Sequence, residues 1–152
     1  MSLDYRSPGP WYARLDVTAA RHRYGNNALP LGVNEAIDGN DIDTAPRLFG
    51  SARLGWEFAP RHGTAPVAEL EWVYMDEYYL EPENRFEYEG HSLLNLRISS
   101  PLTPRLAASV RITNLLNEDY AERADVGFGQ YRYFVGRPRS AFVELRYSWG
   151  EG

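Results

Sequence analysis

Four side chains between residues 115 and 138 carry the chemistry to hold a small molecule: Arg123, Tyr131, Tyr133 and Arg137. Guanidinium forks give charge-assisted hydrogen bonds to anions, and tyrosine rings stack on flat groups, so the set suits an anionic or aromatic ligand. The same residue types also solvate and order a long loop, and both readings stand at this point. Other groupings say less. Residues 38–43, DGNDID, gather carboxylates, but Ile42 and the missing distal Glu break the register of a calcium loop, so an Asx-rich turn is expected. His22, His62 and His91 lie in three separate connections without metal-site spacing. Glu69 and Glu71 share a strand face, where a polar wall accounts for them without acid–base catalysis. There is no Ser-His-Asp order and no nucleophile elbow. Cysteine and lysine are absent, and all sixteen basic residues are arginine, so thiolate, Schiff-base and P-loop lysine chemistry are excluded. The chain is expected not to be an enzyme and to hold no metal or cofactor.

Composition narrows the partners. The 152 residues suit one domain; 43% are hydrophobic and 14% aromatic, too many for a disordered polar tract. Mean hydropathy is −0.50, and no stretch approaches the roughly 18 apolar residues of a membrane helix. A net charge of −5 argues against a nucleic-acid surface, although GFGQYRYF at 127–134 has aromatics spaced to stack bases. Met1-Ser2-Leu3 and Glu151-Gly152 read as cloning remnants, leaving 4–149 as the domain.

These side chains need elements to position them, and period-two patterning supplies those throughout. In 11–20, Trp11, Ala13, Leu15, Val17 and Ala19 oppose Arg14, Asp16 and Thr18. The same alternation recurs in 48–58, 67–77, 92–100, 105–113 and 141–149, giving six strands near the roughly 9–11 residues that cross a bilayer at a tilt. Connections alternate between long (22–46, 79–91, 115–138) and short (59–66, 101–104), as in an antiparallel up-and-down meander. Alternation alone does not say which face is wet. The aromatics do: Trp11, Trp56, Phe58, Tyr147 and Trp149 fall at the short-turn ends, and Tyr24, Tyr74, Tyr78, Tyr79 and Tyr120 near the long loops. Two aromatic belts around an aliphatic band are what a bilayer selects. The fold class expected is all-β, a meander of about six strands forming a segment of a transmembrane β-barrel.

Residues 91–120, HSLLNLRISSPLTPRLAASVRITNLLNEDY, resemble the C-terminal barrel of TonB-dependent outer-membrane receptors, where strand, tight turn and strand lead into an element matched here by Asn114-Leu115-Leu116-Asn117-Glu118-Asp119-Tyr120. Gly39-Asn40-Asp41-Ile42-Asp43-Thr44-Ala45-Pro46-Arg47 resembles a loop-to-strand passage of the same barrels. AFVELRYSW at 141–149 resembles their last strand, with Trp149 in place of the usual terminal Phe and without the Gly often found in that signal. The resemblance implies a 22-stranded barrel with a plugged lumen, about a quarter of whose wall lies here. It further implies location in the bacterial outer membrane, contact with outer-membrane lipid, and TonB engaged through upstream segments. The cargo implied is a scarce extracellular nutrient such as a ferric siderophore or cobalamin. The charged face would line the lumen and the three long connections would be extracellular. Two bare sheet edges and a wet aliphatic face (Leu54, Leu70, Leu96, Val110, Leu145) lead to the expectation that the isolated chain self-associates. The alternatives are a small soluble β-barrel that binds a ligand in an apolar interior, and a complete small outer-membrane barrel of structural or adhesive role.

Overall fold

The computed structural model describes residues 1–26 and 36–149; part of the long connection 22–46 and the terminal Glu151-Gly152 lie outside the described residues. Eleven strands follow in order: β1 (Ser2–Arg6), β2 (Trp11–Ala19), β3 (Leu48–Glu57), β4 (Val67–Met75), β5 (Tyr78–Tyr79), β6 (Glu87–Tyr88), β7 (His91–Thr103), β8 (Leu106–Thr113), β9 (Ala121–Gly127), β10 (Gln130–Val135) and β11 (Ser140–Tyr147). No helix occurs among the described residues. The chain is all-β.

Seven strands make one sheet in the order β1-β2-β3-β4-β7-β8-β11, every pair antiparallel. Read along the chain, this is an up-and-down meander in which β5–β6 and β9–β10 are two-stranded insertions within loops. All six strands expected from the alternation are present, and one further strand of the wall, β1, was missed. β1 pairs Ser2 with Asp16 and Leu3 with Leu15, so the chain's first residues are part of the wall. Its five residues are too few for alternation to stand out. β7 runs on to Thr103 through an irregular step at Pro101, because proline cannot donate to the ladder. The turn that follows is only Pro104-Arg105.

Register decides what each face carries. Trp11, Trp56, Ala68, Ile98, Val110 and Val143 are successive cross-strand partners, forming one row across six strands. Ala13, Leu54, Leu70, Leu96, Ile112 and Ala141 form the next. Slipping any one strand by a residue would turn its whole apolar set to the other face. This aliphatic face has no layer over it: Leu54 is 54% exposed, Val143 71% and Leu145 66%. The opposite face is ion-paired. Arg53 Nε donates to Glu71 Oε1 at 2.7 Å, Asn95 Nδ2 to Glu71 Oε2 at 3.0 Å, and Arg6 Nη1 to Glu57 Oε1 at 2.7 Å.

At the short-turn end the rings gather on the aliphatic face, with Tyr5 and Trp11 at 5.1 Å between centroids and Tyr147 and Trp149 also at 5.1 Å. At the other end Trp72 and Tyr74 stack at 5.6 Å. The second belt is thinner than the sequence reading has it. Tyr78 is buried within the loops, and Tyr24 is turned into its own loop to donate from its hydroxyl to Asp43.

One position on the charged face shows why glycine stands mid-strand. The Tyr12 ring lies over Gly55, so that a Cβ there would meet the ring at 2.1 Å, and from that position the Tyr12 hydroxyl donates to Glu69 Oε2 at 2.8 Å. The Arg6 guanidinium lies over the same ring, 5.5 Å from its centroid. Gly55→Ala is expected to swing the ring aside and lose this bond, costing about 1 kcal/mol. Tyr12→Phe is expected to cost a similar amount, and the double variant little more than either. Denaturant unfolding of the detergent-folded chain measures all three, and additive costs would show that ring and glycine act independently.

Candidate functional site

Three connections leave the long-loop end of the sheet: residues 20–47, 76–90 and 114–139. They form a layer of their own, and most of the buried apolar side chains of the described residues lie in it (Ile37, Tyr78, Leu80, Tyr88, Ala121 and Ala124), joined from the wall by Leu93 of β7.

The 114–139 connection is closed by asparagine. Asn114 leaves β8 with φ of 51°, a left-handed conformation that Asn tolerates better than most residues. Its side-chain Oδ1 accepts from Glu118 N at 2.9 Å, and its Nδ2 donates to Glu118 O at 2.8 Å and Arg137 O at 3.3 Å. Asn117, also left-handed, accepts from Arg139 N at 3.1 Å. Tyr120 lays its ring over Gly136, whose N–H donates to Tyr120 O at 2.8 Å. The motif Asn114 to Tyr120 is thus a loop clasp that ties the loop's first turn to its last.

Inside the clasp, β9 and β10 form a hairpin across Phe128-Gly129, both at positive φ (53° and 73°). Two tyrosines bind its free edge. The Tyr78 hydroxyl accepts from Ala124 N at 2.8 Å and donates to Ala124 O at 3.2 Å. The Tyr88 hydroxyl does the same with Ala121, at 3.1 and 3.0 Å. These two tyrosines face each other across β5 and β6 with rings 5.2 Å apart, so two side chains take the place of a third strand. Burial pushes both hydroxyls above the ordinary tyrosine range, which keeps them protonated donors.

The four sequence-predicted ligand residues fall in two places. Arg123, Tyr131 and Tyr133 are on the hairpin, whereas Arg137 lies beyond it, its guanidinium 6.0 Å above the Phe142 ring at the start of β11. Within the hairpin the pairing puts Tyr131 and Tyr133 opposite Val126 and Ala124, while Arg123 shares the other face with Asp125, Arg132 and Phe134. Arg123 Nη2 lies 2.5 Å from Asp125 Oδ2, and Arg132 Nε donates to Asp125 Oδ1 at 2.7 Å. Tyr131 packs edge-on against Phe86 at 4.9 Å, joining the hairpin to the 76–90 connection, and Tyr133 is half exposed.

Sequence reasoning did not find the most charged feature of this layer. Asp41 is buried, and three arginines converge on it: Arg21 Nε at 2.9 Å, Arg23 Nε at 3.3 Å, and Arg47 through both Nε (3.1 Å) and Nη2. Its backbone exchanges bonds with Asn84, N to Oδ1 at 2.8 Å and O from Nδ2 at 2.9 Å, so the hub also ties 20–47 to 76–90. The cluster keeps a surplus of positive charge, with each guanidinium about half exposed. Hydrogen bonds from Arg21, then Arg47, hold the Asp41 carboxyl well below the usual carboxylate range. Nearby, burial and the bond to Asp43 push the Tyr24 hydroxyl up to about 12. The arginines are scattered over 27 positions of sequence, so no motif announced them. The DGNDID run does form turns, at Asp38-Gly39 and from Asp43 into Thr44, and its central carboxylate in addition organises cations.

Comparison with known proteins bears on the fold. No family model matches the chain. A curated protein, the cyclosporin synthetase simA of Tolypocladium inflatum, is 26% identical over 133 residues, which is 80% of this chain but 1% of that one. Among solved structures, the ferric yersiniabactin uptake receptor FyuA of Yersinia pestis superposes with a TM-score of 0.78 at 17% identity, covering 97% of this chain and 22% of that one. The siderophore receptor PiuA of Acinetobacter baumannii gives 0.73 at 12% identity, with 96% and 21% covered. The ferripyoverdine receptor of the Pseudomonas aeruginosa outer membrane gives 0.66 at 18% identity, with 95% and 18% covered. The chain therefore has the fold of an outer-membrane β-barrel wall. In particular, it superposes on a segment of the barrels of these receptors and spans about a fifth of their length.

A folded-state pKa held below its unfolded value stabilises above the unfolded value, near 3.9 for Asp, and that contribution is lost as pH falls through the folded value. Asp41→Asn is therefore expected to loosen the loop layer at pH 7, with the difference from wild type shrinking as pH is lowered below about 4. Protease cleavage within 20–47, followed at pH 7 and in acid with a protease active at each, measures it. A difference that does not depend on pH would make Asp41 a packing residue rather than an electrostatic one.

Proposed function

We propose that the chain is the C-terminal part, residues 4–149, of a bacterial outer-membrane receptor that takes up a scarce nutrient such as a ferric siderophore with energy delivered by TonB. The observation that carries this reading is the two-faced wall: an uncovered aliphatic face between aromatic rims, backed by a face of ion pairs in the same register. Such a sheet is stable with hydrocarbon on one side and a hydrated or protein-filled lumen on the other. Its likeness to three ferric-chelate or siderophore receptors supports the same role. On this reading the loop layer is extracellular, TonB acts through segments upstream, and transport rather than catalysis is the activity. Arg123, Tyr131, Tyr133 and Arg137 are the proposed ligand contacts, with the rings stacking on the chelate and the guanidinium groups meeting its negative charge.

Expressed within its full-length gene in a strain lacking its own receptors, the protein is expected to support growth on one or more ferric chelates, and only while TonB is present. Tyr131→Ala with Tyr133→Ala is expected to weaken chelate binding by roughly tenfold or more while the barrel keeps its folded gel mobility. Growth without TonB, or undiminished binding in the double variant, would count against these assignments. The isolated 152-residue chain leaves the outer edges of β1 and β11 unpaired and the aliphatic face uncovered, so without detergent it is expected to self-associate. Sedimentation reads this directly, and a stable monomer at high concentration would favour a soluble sheet protein.

A further inference from the structure

We infer that His91 is an acid-sensitive latch of the loop layer: a proton added to its ring loosens the β9–β10 hairpin. Two of the ties that hold the hairpin meet at this residue. His91 Nδ1 lies 2.9 Å from the Tyr88 hydroxyl, which brackets Ala121 at the free edge of β9. The His91 ring also packs 4.8 Å from that of Tyr120, the last residue of the asparagine clasp. Backbone fixes the ring's place, because Gly90, at φ of 76°, passes so near Met75 O that a Cβ would meet it at 2.3 Å. His91 pairs with Met75 one step beyond the Tyr74–Ser92 pair. It therefore stands past the aromatic rim, with its side chain among the loops.

The hydrogen bonds decide which nitrogen carries the proton when the ring is neutral. The Tyr88 hydroxyl has one proton, which goes to Ala121 O at 3.0 Å, and it accepts from Ala121 N at 3.1 Å. Nδ1 is then the donor in the third contact, and Nε2 is the bare nitrogen that acid protonates. Among the described residues Nε2 has no hydrogen-bond partner, and no carboxylate pairs with the ring. Its loop neighbours Tyr88 and Tyr120 bring no negative charge. Asp16 of β2 and Glu71 of β4 line the open cavity that His91 borders on the charged face, but Glu71 is held by Arg53 and Asn95. Glu89, Glu118 and Asp119, next to His91 and Tyr120 in the chain, are exposed. Burial thus pushes the imidazole below the ordinary histidine range. The native layer holds the neutral ring. Its contribution is present above the unfolded value, about 6.5, and is lost as pH falls from there through the folded value. On the receptor reading the loosened hairpin carries Tyr131 and Tyr133 with it, although the latch itself does not depend on what those rings bind.

The test follows amide hydrogen exchange of residues 121–135 in the full-length protein in micelles, at about pH 7.5 and about pH 5.5. Each rate is taken relative to β3, so that the intrinsic pH dependence of exchange cancels. Relative exchange of the hairpin is expected to rise about fivefold or more in acid. His91→Gln keeps a donor for the Tyr88 hydroxyl but takes up no proton, and it is expected to exchange slowly at both pH values. His91→Arg sets a permanent cation in the same place and is expected to exchange fast at both. His22→Gln replaces the other histidine of the loop layer and is expected to leave the acid response intact. A flat wild-type response, slower exchange in acid, or a response that survives His91→Gln overturns the inference. No cargo enters the measurement, so it decides the latch separately from the receptor reading.

Discussion

Everything in this molecule depends on cross-strand register. Seven strands share a single antiparallel ladder, and because side chains alternate, one setting of that ladder puts Trp, Leu, Val and Ile in continuous rows on one face and Arg, Glu and Asn on the other. The wall has no buried core of its own. Apart from the outer edges of β1 and β11, its backbone groups are satisfied by neighbouring strands, and its apolar side chains are uncovered on one face only. That is the arrangement hydrocarbon demands of a sheet, since lipid offers nothing to an unpaired N–H or C=O.

The loop layer obeys a different rule. It has a small hydrophobic cluster, but polar side chains standing in for backbone do most of its organising. Asn114 and Asn117 close one loop, Tyr78 and Tyr88 occupy the free edge of a hairpin, and Asp41 draws three arginines and one asparagine together from two connections. Long segments that would otherwise pay heavily in conformational entropy are thereby tied at several points each. A surface built this way holds rings and guanidinium groups in set directions at the long-loop end of the sheet.

The resemblance drawn from sequence and the likeness to solved receptors rest on different features and agree. Identity to those receptors is 12–18%, too low to transfer any residue's role, yet the superposition covers nearly the whole chain. What endures at such distances is the fold.

The wall was readable without coordinates because its pattern is local: period-two alternation and the long–short rhythm of connections need only neighbouring residues. Six wall strands and the charged and aliphatic faces were legible this way, and the Asn114–Tyr120 element through the resemblance it carries. β1 was not, because five residues offer too few alternations, and neither was the β9–β10 hairpin, whose edge is completed by tyrosines more than thirty positions away. The Asp41 hub and the placing of Arg137 against the wall instead of on the hairpin were decided only by the tertiary structure. Each depends on which distant strands and loops lie side by side. Sequence determines the face a residue takes; the pairing of strands determines which charge stands next to it.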